Sequence, residues 1–89
     1  MKKVFCVNIT FNSLDGLVAR VALALERRGY SINAIKIETS QDRYSEMLLT
    51  MTGQEERFEQ VCLQLQKLID VIAVEVIENK KVPVVAVAA

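Results

Sequence analysis

Residues 31–52, SINAIKIETSQDRYSEMLLTMT, carry the strongest hairpin signal in the chain. Across 31–39, Ile35 and Ile37 alternate with Lys36 and Glu38, the period of a strand that buries one face. Across 44–52, Met47, Leu49 and Met51 alternate with Leu48 and Thr50 in the same way. The polar run 40–43 between them supplies the connection.

Before the hairpin lies a strand and a helix. Residues 3–11 read as a strand, with Phe5, Val7, Ile9 and Phe11 on one face and Cys6, Asn8 and Thr10 on the other. Residues 12–16 have turn chemistry, and Ser13 and Asp15 are both candidate N-caps for a helix beginning at 17. The spacing of Leu17, Val21, Ala24, Leu25 and Arg28 predicts an amphipathic helix over 17–28, with Val18 and Ala22 widening its apolar stripe. Arg27 and Arg28 suit the negative end of the helix dipole. Gly29 stands where a left-handed residue ends the helix.

After the hairpin the order repeats. Thr52-Gly53-Gln54-Glu55 fits a capping box, which predicts a helix over 54–68 with Phe58, Val61, Cys62, Leu65 and Leu68 on one stripe. Residues 70–77 read as a last strand, and 78–81 are a polar break. Residues 82–89 are apolar and contain Pro83; they are expected to be an edge strand, a disordered tail or a segment ordered by a partner. The order β-α-β-β-α-β implies an α+β fold, the ferredoxin-like βαββαβ sandwich, a four-stranded antiparallel sheet with two helices on one face. Residues 1–78 then form one domain and 79–89 an apolar tail or edge strand. The other sheet face carries Cys6, Asn8, Lys36, Glu38, Leu48 and Thr50, too mixed for a core and too lightly charged for plain surface.

Composition narrows the function. The chain has 89 residues, of which 52% are hydrophobic and 25% charged. A domain of this size hides only roughly 60–65% of its unfolded surface, so some of that apolar surface calls for a partner subunit. Eleven basic residues balance eleven acidic ones, which argues against nucleic acid and anionic membrane as partners. No apolar stretch reaches the length of about 20 residues that spans a bilayer, and no leader is visible, so a cytoplasmic location is expected. The two cysteines, Cys6 and Cys62, lack metal-ligand or disulfide-framework spacing and read as buried free thiols.

Catalysis finds no foothold. The chain has no histidine, so the commonest general base and metal ligand is missing. No serine or cysteine has a visible activating partner. No catalytic residue, metal or cofactor is assigned. The remaining candidate is the turn before the first helix, where unpaired backbone N–H groups and the positive end of a dipole suit a carboxylate. Gly16 would let such a ligand approach the backbone.

Several strings resemble a known family: Gly16-Leu17-Val18-Ala19-Arg20-Val21, Arg27-Arg28-Gly29-Tyr30-Ser31-Ile32, Ser45-Glu46-Met47, Glu59-Gln60-Val61, and 64–72, QLQKLIDVI. They are similar to the ACT domain of the regulatory (small) subunit of acetohydroxyacid synthase, also called acetolactate synthase, and the resemblance runs from Phe5 to Ile77. It implies a non-catalytic subunit that binds and activates the thiamine-diphosphate catalytic subunit in branched-chain amino-acid biosynthesis. It further implies a homodimer of side-by-side sheets with a branched-chain amino-acid effector at the interface. The effector would touch Ser13, Leu14, Asp15, Gly16, Leu17 and Val18 of one subunit and Ser31, Ile32 and Asn33 of the other.

The departures bear on that site. The family's loop usually reads Asn-x-Pro-Gly, and only Gly16 of Ser13-Leu14-Asp15-Gly16 keeps it. Ser31 stands where an asparagine is usual, and Glu46 where an arginine is. Asp15 also places a carboxylate where an effector carboxylate would arrive, a like-charge contact costing on the order of 1 kcal/mol. The effector site is therefore expected to be weakened, altered in ligand or lost. A stand-alone ACT sensor of another small molecule, or an interaction module without a ligand, are the alternative readings.

Overall fold

The computed structural model describes residues 2–40 and 44–77. The middle of the expected hairpin turn (41–43) and the segment 78–89 lie outside the described residues. Strand β1 (Lys2–Phe11) leads to helix α1 (Leu17–Glu26), then to strands β2 (Ser31–Glu38) and β3 (Ser45–Gln54). A 3-10 turn (Glu55–Arg57) enters helix α2 (Phe58–Gln66), and β4 (Val71–Ile77) closes the fold. The sheet order is β2-β3-β1-β4, with every neighbouring pair antiparallel. This is the four-stranded sandwich that the alternation implied.

Register assigns the two faces. Phe5, Val7 and Ile9 lie opposite Met51, Leu49 and Met47, and all six are buried. Leu17, Val21 and Leu25 of α1 and Val61 and Leu65 of α2 complete the core on that face. Phe58, Cys62 and Leu68 pack partly against it, so the predicted stripe of the second helix is the one observed. Val18 is 37% exposed and lies outside the stripe that α1 buries. Cys6, Asn8, Leu48 and Thr50 share the opposite, outer face with Lys36 and Glu38. Cys6 is buried and Cys62 half-buried; both thiols are free.

The end of α1 shows why Arg-Arg-Gly-Tyr is a structural unit. Gly29 takes φ 76°, its N–H reaches the Glu26 carbonyl at 3.1 Å, and the Tyr30 N–H reaches Leu25 at 2.9 Å. That paired closure needs a left-handed residue, which glycine adopts without a Cβ penalty. It drives Tyr30 into the core, where its ring lies directly over Gly53 of β3. A Cβ at position 53 would overlap the ring. The Tyr30 hydroxyl donates to the Gln54 carbonyl oxygen. Phe5 stacks on Phe58 at 4.0 Å between centroids and lies 6.2 Å from the Tyr30 ring, so this corner of the core is aromatic.

Both expected N-terminal caps are corrected. Thr52 does not cap a helix: it belongs to β3, and its Oγ1 donates to Asn33 Oδ1 at 2.7 Å. Glu55 instead pairs with Lys3 Nζ at 3.0 Å. The reason is competition, since β1 and β3 pair out to Lys2–Gln54, and the ladder holds the backbone extended where a cap would need it to turn. The α-helix therefore begins at Phe58, after the 3-10 turn. At α1 the N-cap is Gly16, at φ 70°, with no side-chain capping bond. Ser13 Oγ accepts the Asp15 N–H at 3.2 Å within the turn, which uses it one step before the helix. Residues 27 and 28 fall in the closing turn rather than in α1.

Two stability outcomes are expected. Leu65 is fully buried, so Leu65→Ala should cost about 2–5 kcal/mol in a denaturant melt; a midpoint equal to wild type would contradict the packing of α2. Gly53→Ala should cost about 1–3 kcal/mol through overlap with Tyr30. Most of that cost should vanish in a Tyr30→Ala background, and strict additivity in the double-mutant cycle would refute the contact.

Candidate functional site

The loop after β1 is held by backbone bonds as well as by side chains. The Asn12 N–H donates to the Asp70 carbonyl at 2.8 Å, tying the loop to the turn before β4. The Leu17 N–H closes on the Leu14 carbonyl at 2.9 Å, and the Arg20 N–H on that of Gly16 at 3.1 Å. Leu17 is fully buried, so it anchors the loop and offers a ligand no side-chain surface. Leu14 is 38% exposed, Asp15 and Gly16 are exposed, and Ser13 is half-buried.

The reading of the sequence missed Arg20. Its side chain folds back over Gly16, with Nη1 donating to the Asp15 carbonyl at 3.4 Å. A Cβ at position 16 would sit 3.4 Å from Nη2. The spacing of Gly16 and Arg20, four residues apart on one helix face, was the available signal. The guanidinium adds a positive charge beside the first turn of α1. It opposes the Asp15 carboxylate in setting the local potential, and its planar fork suits an incoming carboxylate.

The other candidate segment lies elsewhere. Ser31, Ile32 and Asn33 open β2, where Ser31 is level with Thr52 and Thr52 with Val4. The loop follows Phe11, seven residues further along β1, or roughly 24 Å at strand rise. Within one chain the structure brings together 13–18, and separately 31–33, but not the two groups. Asn33 is the extra residue of a bulge between Ile32 and Ala34, and its Oδ1 is taken by Thr52. Among the described residues β2 is an edge strand, and α1 packs toward it while α2 packs toward β4.

Two shallow concavities have no residue of the loop in their lining. One, of about 180 Å³, is lined by Asn8, Lys36, Glu38, Glu46 and Leu48 on the outer face. The other, of about 480 Å³, is lined by Glu38, Thr39, Ser40, Tyr44 and Glu46. Burial raises the Cys6 thiol above its ordinary value, against a lowering hydrogen bond from Thr50. Burial and then Glu59 raise Cys62. Both thiols are thus held protonated at neutral pH and are poor nucleophiles. Among the described residues no group of three or more acidic, cysteine or histidine side chains could hold a metal, and no helix is long and apolar enough to cross a membrane.

Comparison with known proteins agrees with this architecture. A sequence profile of the ACT domain matches residues 13–74. The acetolactate synthase small subunit of Mycobacterium avium is 32% identical over 74 residues, covering 82% of this chain and 44% of that protein. The probable acetolactate synthase small subunit of Archaeoglobus fulgidus is 38% identical over 77 residues, covering 85% and 48%. The chain therefore spans about half the length of the curated relatives it matches. Among solved structures, the acetolactate synthase small subunit from Thermotoga maritima superposes with a TM-score of 0.71 at 26% identity, over 85% of this chain and 48% of that one. The ACT domain from GTP pyrophosphokinase of Chlorobium tepidum gives a TM-score of 0.68 at 14% identity, over 86% of this chain and all of that one, a likeness of fold alone. With the profile spanning α1 to β4 and the sheet order and helix placement in accord, the chain belongs to the ACT domain family.

Proposed function

We propose that this chain is a non-catalytic regulatory component of acetolactate synthase, acting in the cytoplasm by binding and activating a thiamine-diphosphate catalytic subunit. The relatives named as small subunits of that enzyme support the reading. The observation that carries the mechanism is the separation of the two candidate segments to opposite ends of the sheet. A half-site at each end is completed by a twofold that pairs the β2 edges of two copies. Antiparallel pairing sets the start of one β2 beside the end of the other, the end at which α1 begins. The result is an eight-stranded sheet with two equivalent interfacial sites, each using Ser13–Val18 of one copy and Ser31–Asn33 of its partner. Residues 1–78 act as the ACT unit in this reading, with 79–89 as a tail or further edge strand.

An amino acid is the effector class that suits such a site. Its carboxylate would meet the N–H groups of α1 and the Arg20 guanidinium, and its ammonium the Ser31 hydroxyl. A short apolar side chain would lie against Leu14, Val18 and Ile32, each close to 38% exposed in the single chain. Ser13 is already engaged by the Asp15 N–H, and Asp15 repels an incoming carboxylate, so valine binding is expected to be weak.

The test is acetolactate formation by the catalytic subunit of the same source, titrated with this chain, with and without valine. Saturable stimulation is expected, with little inhibition by valine. The absence of both stimulation and a complex would overturn the proposal in favour of a stand-alone sensor. Calorimetry should show Asp15→Asn binding valine on the order of fivefold more tightly than wild type, as about 1 kcal/mol of repulsion is removed. Unchanged or weaker binding would reject the role given to that carboxylate.

A further inference from the structure

The margin of β4 lacks the devices that protect a sheet edge. Among the described residues β4 pairs with β1 alone. Its sequence, VIAVEVI, holds one charge, Glu75, and neither proline nor lysine. None of its residues is fully buried. Val76 lies opposite Val7, on the face that the helices cover, yet it is 56% exposed, and Ile72 is 44% exposed. An apolar strand with a free row of backbone groups is a template for another strand.

The backbone shows which groups that margin offers. The Asn12 N–H donates toward β4, to the Asp70 carbonyl. β1 pairs with β3 without a shift from Lys2 to Phe11, so its backbone alternates regularly. Thr10, Asn8 and Cys6 therefore turn their N–H and C=O groups to β4, as Asn12 does. Their partners Ala73, Glu75 and Ile77 turn back to β1, which leaves Val74 and Val76 presenting theirs to the open side.

The chain that follows matches this template. After Ile77 the sequence reads ENKKVPVVAVAA. Residues 82–89 are apolar throughout and rich in valine, a strong strand former. Residues 77–81 make a loop of five, within the range of β-hairpin connections. Returning through that loop, Val82 falls opposite Val76 and Val84 opposite Val74, both as hydrogen-bonded pairs. Pro83 falls opposite Glu75, at a non-hydrogen-bonded position, where its missing N–H faces away from β4. A loop one residue longer or shorter would put Pro83 where an N–H is needed, and a loop of three would set Lys80 against Val76. In the five-residue register Val82 and Val84 continue the apolar face of Val74 and Val76.

We propose that residues 82–86 of this same chain cover the margin of β4 as a fifth strand, antiparallel to it, with Val82 opposite Val76 and Val84 opposite Val74. The tether decides the occupant, because a short linker holds the segment beside β4 at an effective concentration on the order of millimolar. Edge pairing between copies is then confined to β2, so it closes at two chains instead of continuing from edge to edge. This goes beyond the regulatory reading and does not require it.

Amide exchange measured by NMR on the full chain, over a dilution series, tests the proposal. The Val74 N–H should exchange at least about tenfold more slowly than in Val84→Pro, which removes the N–H that pairs with Val74. Pro83→Ala should leave that protection unchanged, because position 83 faces away from β4. A close Hα–Hα contact between Glu75 and Pro83 is expected at the non-hydrogen-bonded pair. Unprotected amides at Val74 and Val76 in the wild-type chain would overturn the proposal, as would equal protection in Val84→Pro. Protection that disappears on dilution would also overturn it, since the covering strand would then come from a second copy.

Discussion

β1 must satisfy both of its backbone edges inside the sheet and one of its faces against the helices, and the other elements are arranged to meet those demands. β3 takes one edge from Lys2 to Phe11, and β4 takes the other from Cys6 to Phe11. The period-two alternation of Phe5, Val7, Ile9 and Phe11 allows no slip, because a shift by one residue would turn four core side chains outward. The connection after β1 and the one after α1 must therefore place β2 beyond β3. Gly29 makes that return possible, and Tyr30, delivered by it, becomes the seat on which Gly53 rests.

Legibility in the sequence depends on how local each signal is. Alternation in the strands, the apolar stripe of α2 and the left-handed glycine after α1 depend on neighbours in the chain, and they read correctly. The capping box did not, because the fate of Thr52 and Glu55 is decided by residues far away. Thr52 answers to Asn33 across the sheet, and Glu55 to Lys3 at the start of β1. The 3-10 turn that delays α2 until Phe58 is the local outcome of that long-range pairing. Ser13 and Asp15 failed as caps for a different reason: their interaction is spent inside the turn, leaving Gly16 to open the helix.

The candidate site was legible as a set of segments but not as a place. Sequence proximity groups 13–18 and groups 31–33, and the sheet then sends them to opposite ends. Leu17 belongs to the core although it sits in the middle of the candidate loop, whereas Arg20, outside the loop, folds back across it. Neither fact is visible without the direction of α1. The separation also gives the β2 edge its interest, since the proposed pairing about that edge would reunite what one chain keeps apart.

The bond from the Asn12 N–H to the Asp70 carbonyl joins the loop to the sheet's margin. Asp70 holds φ 75°, a strained angle for a residue with a side chain, and it immediately precedes β4, which among the described residues pairs with β1 alone. Edge segments open by local unfolding at lower free energy than the centre of a sheet. Fraying at the start of β4 would remove one of the ties on the loop before α1 and leave buried Leu17 still anchoring it. The loop is thus coupled to the margin of the sheet through Asp70 as well as to the core through Leu17.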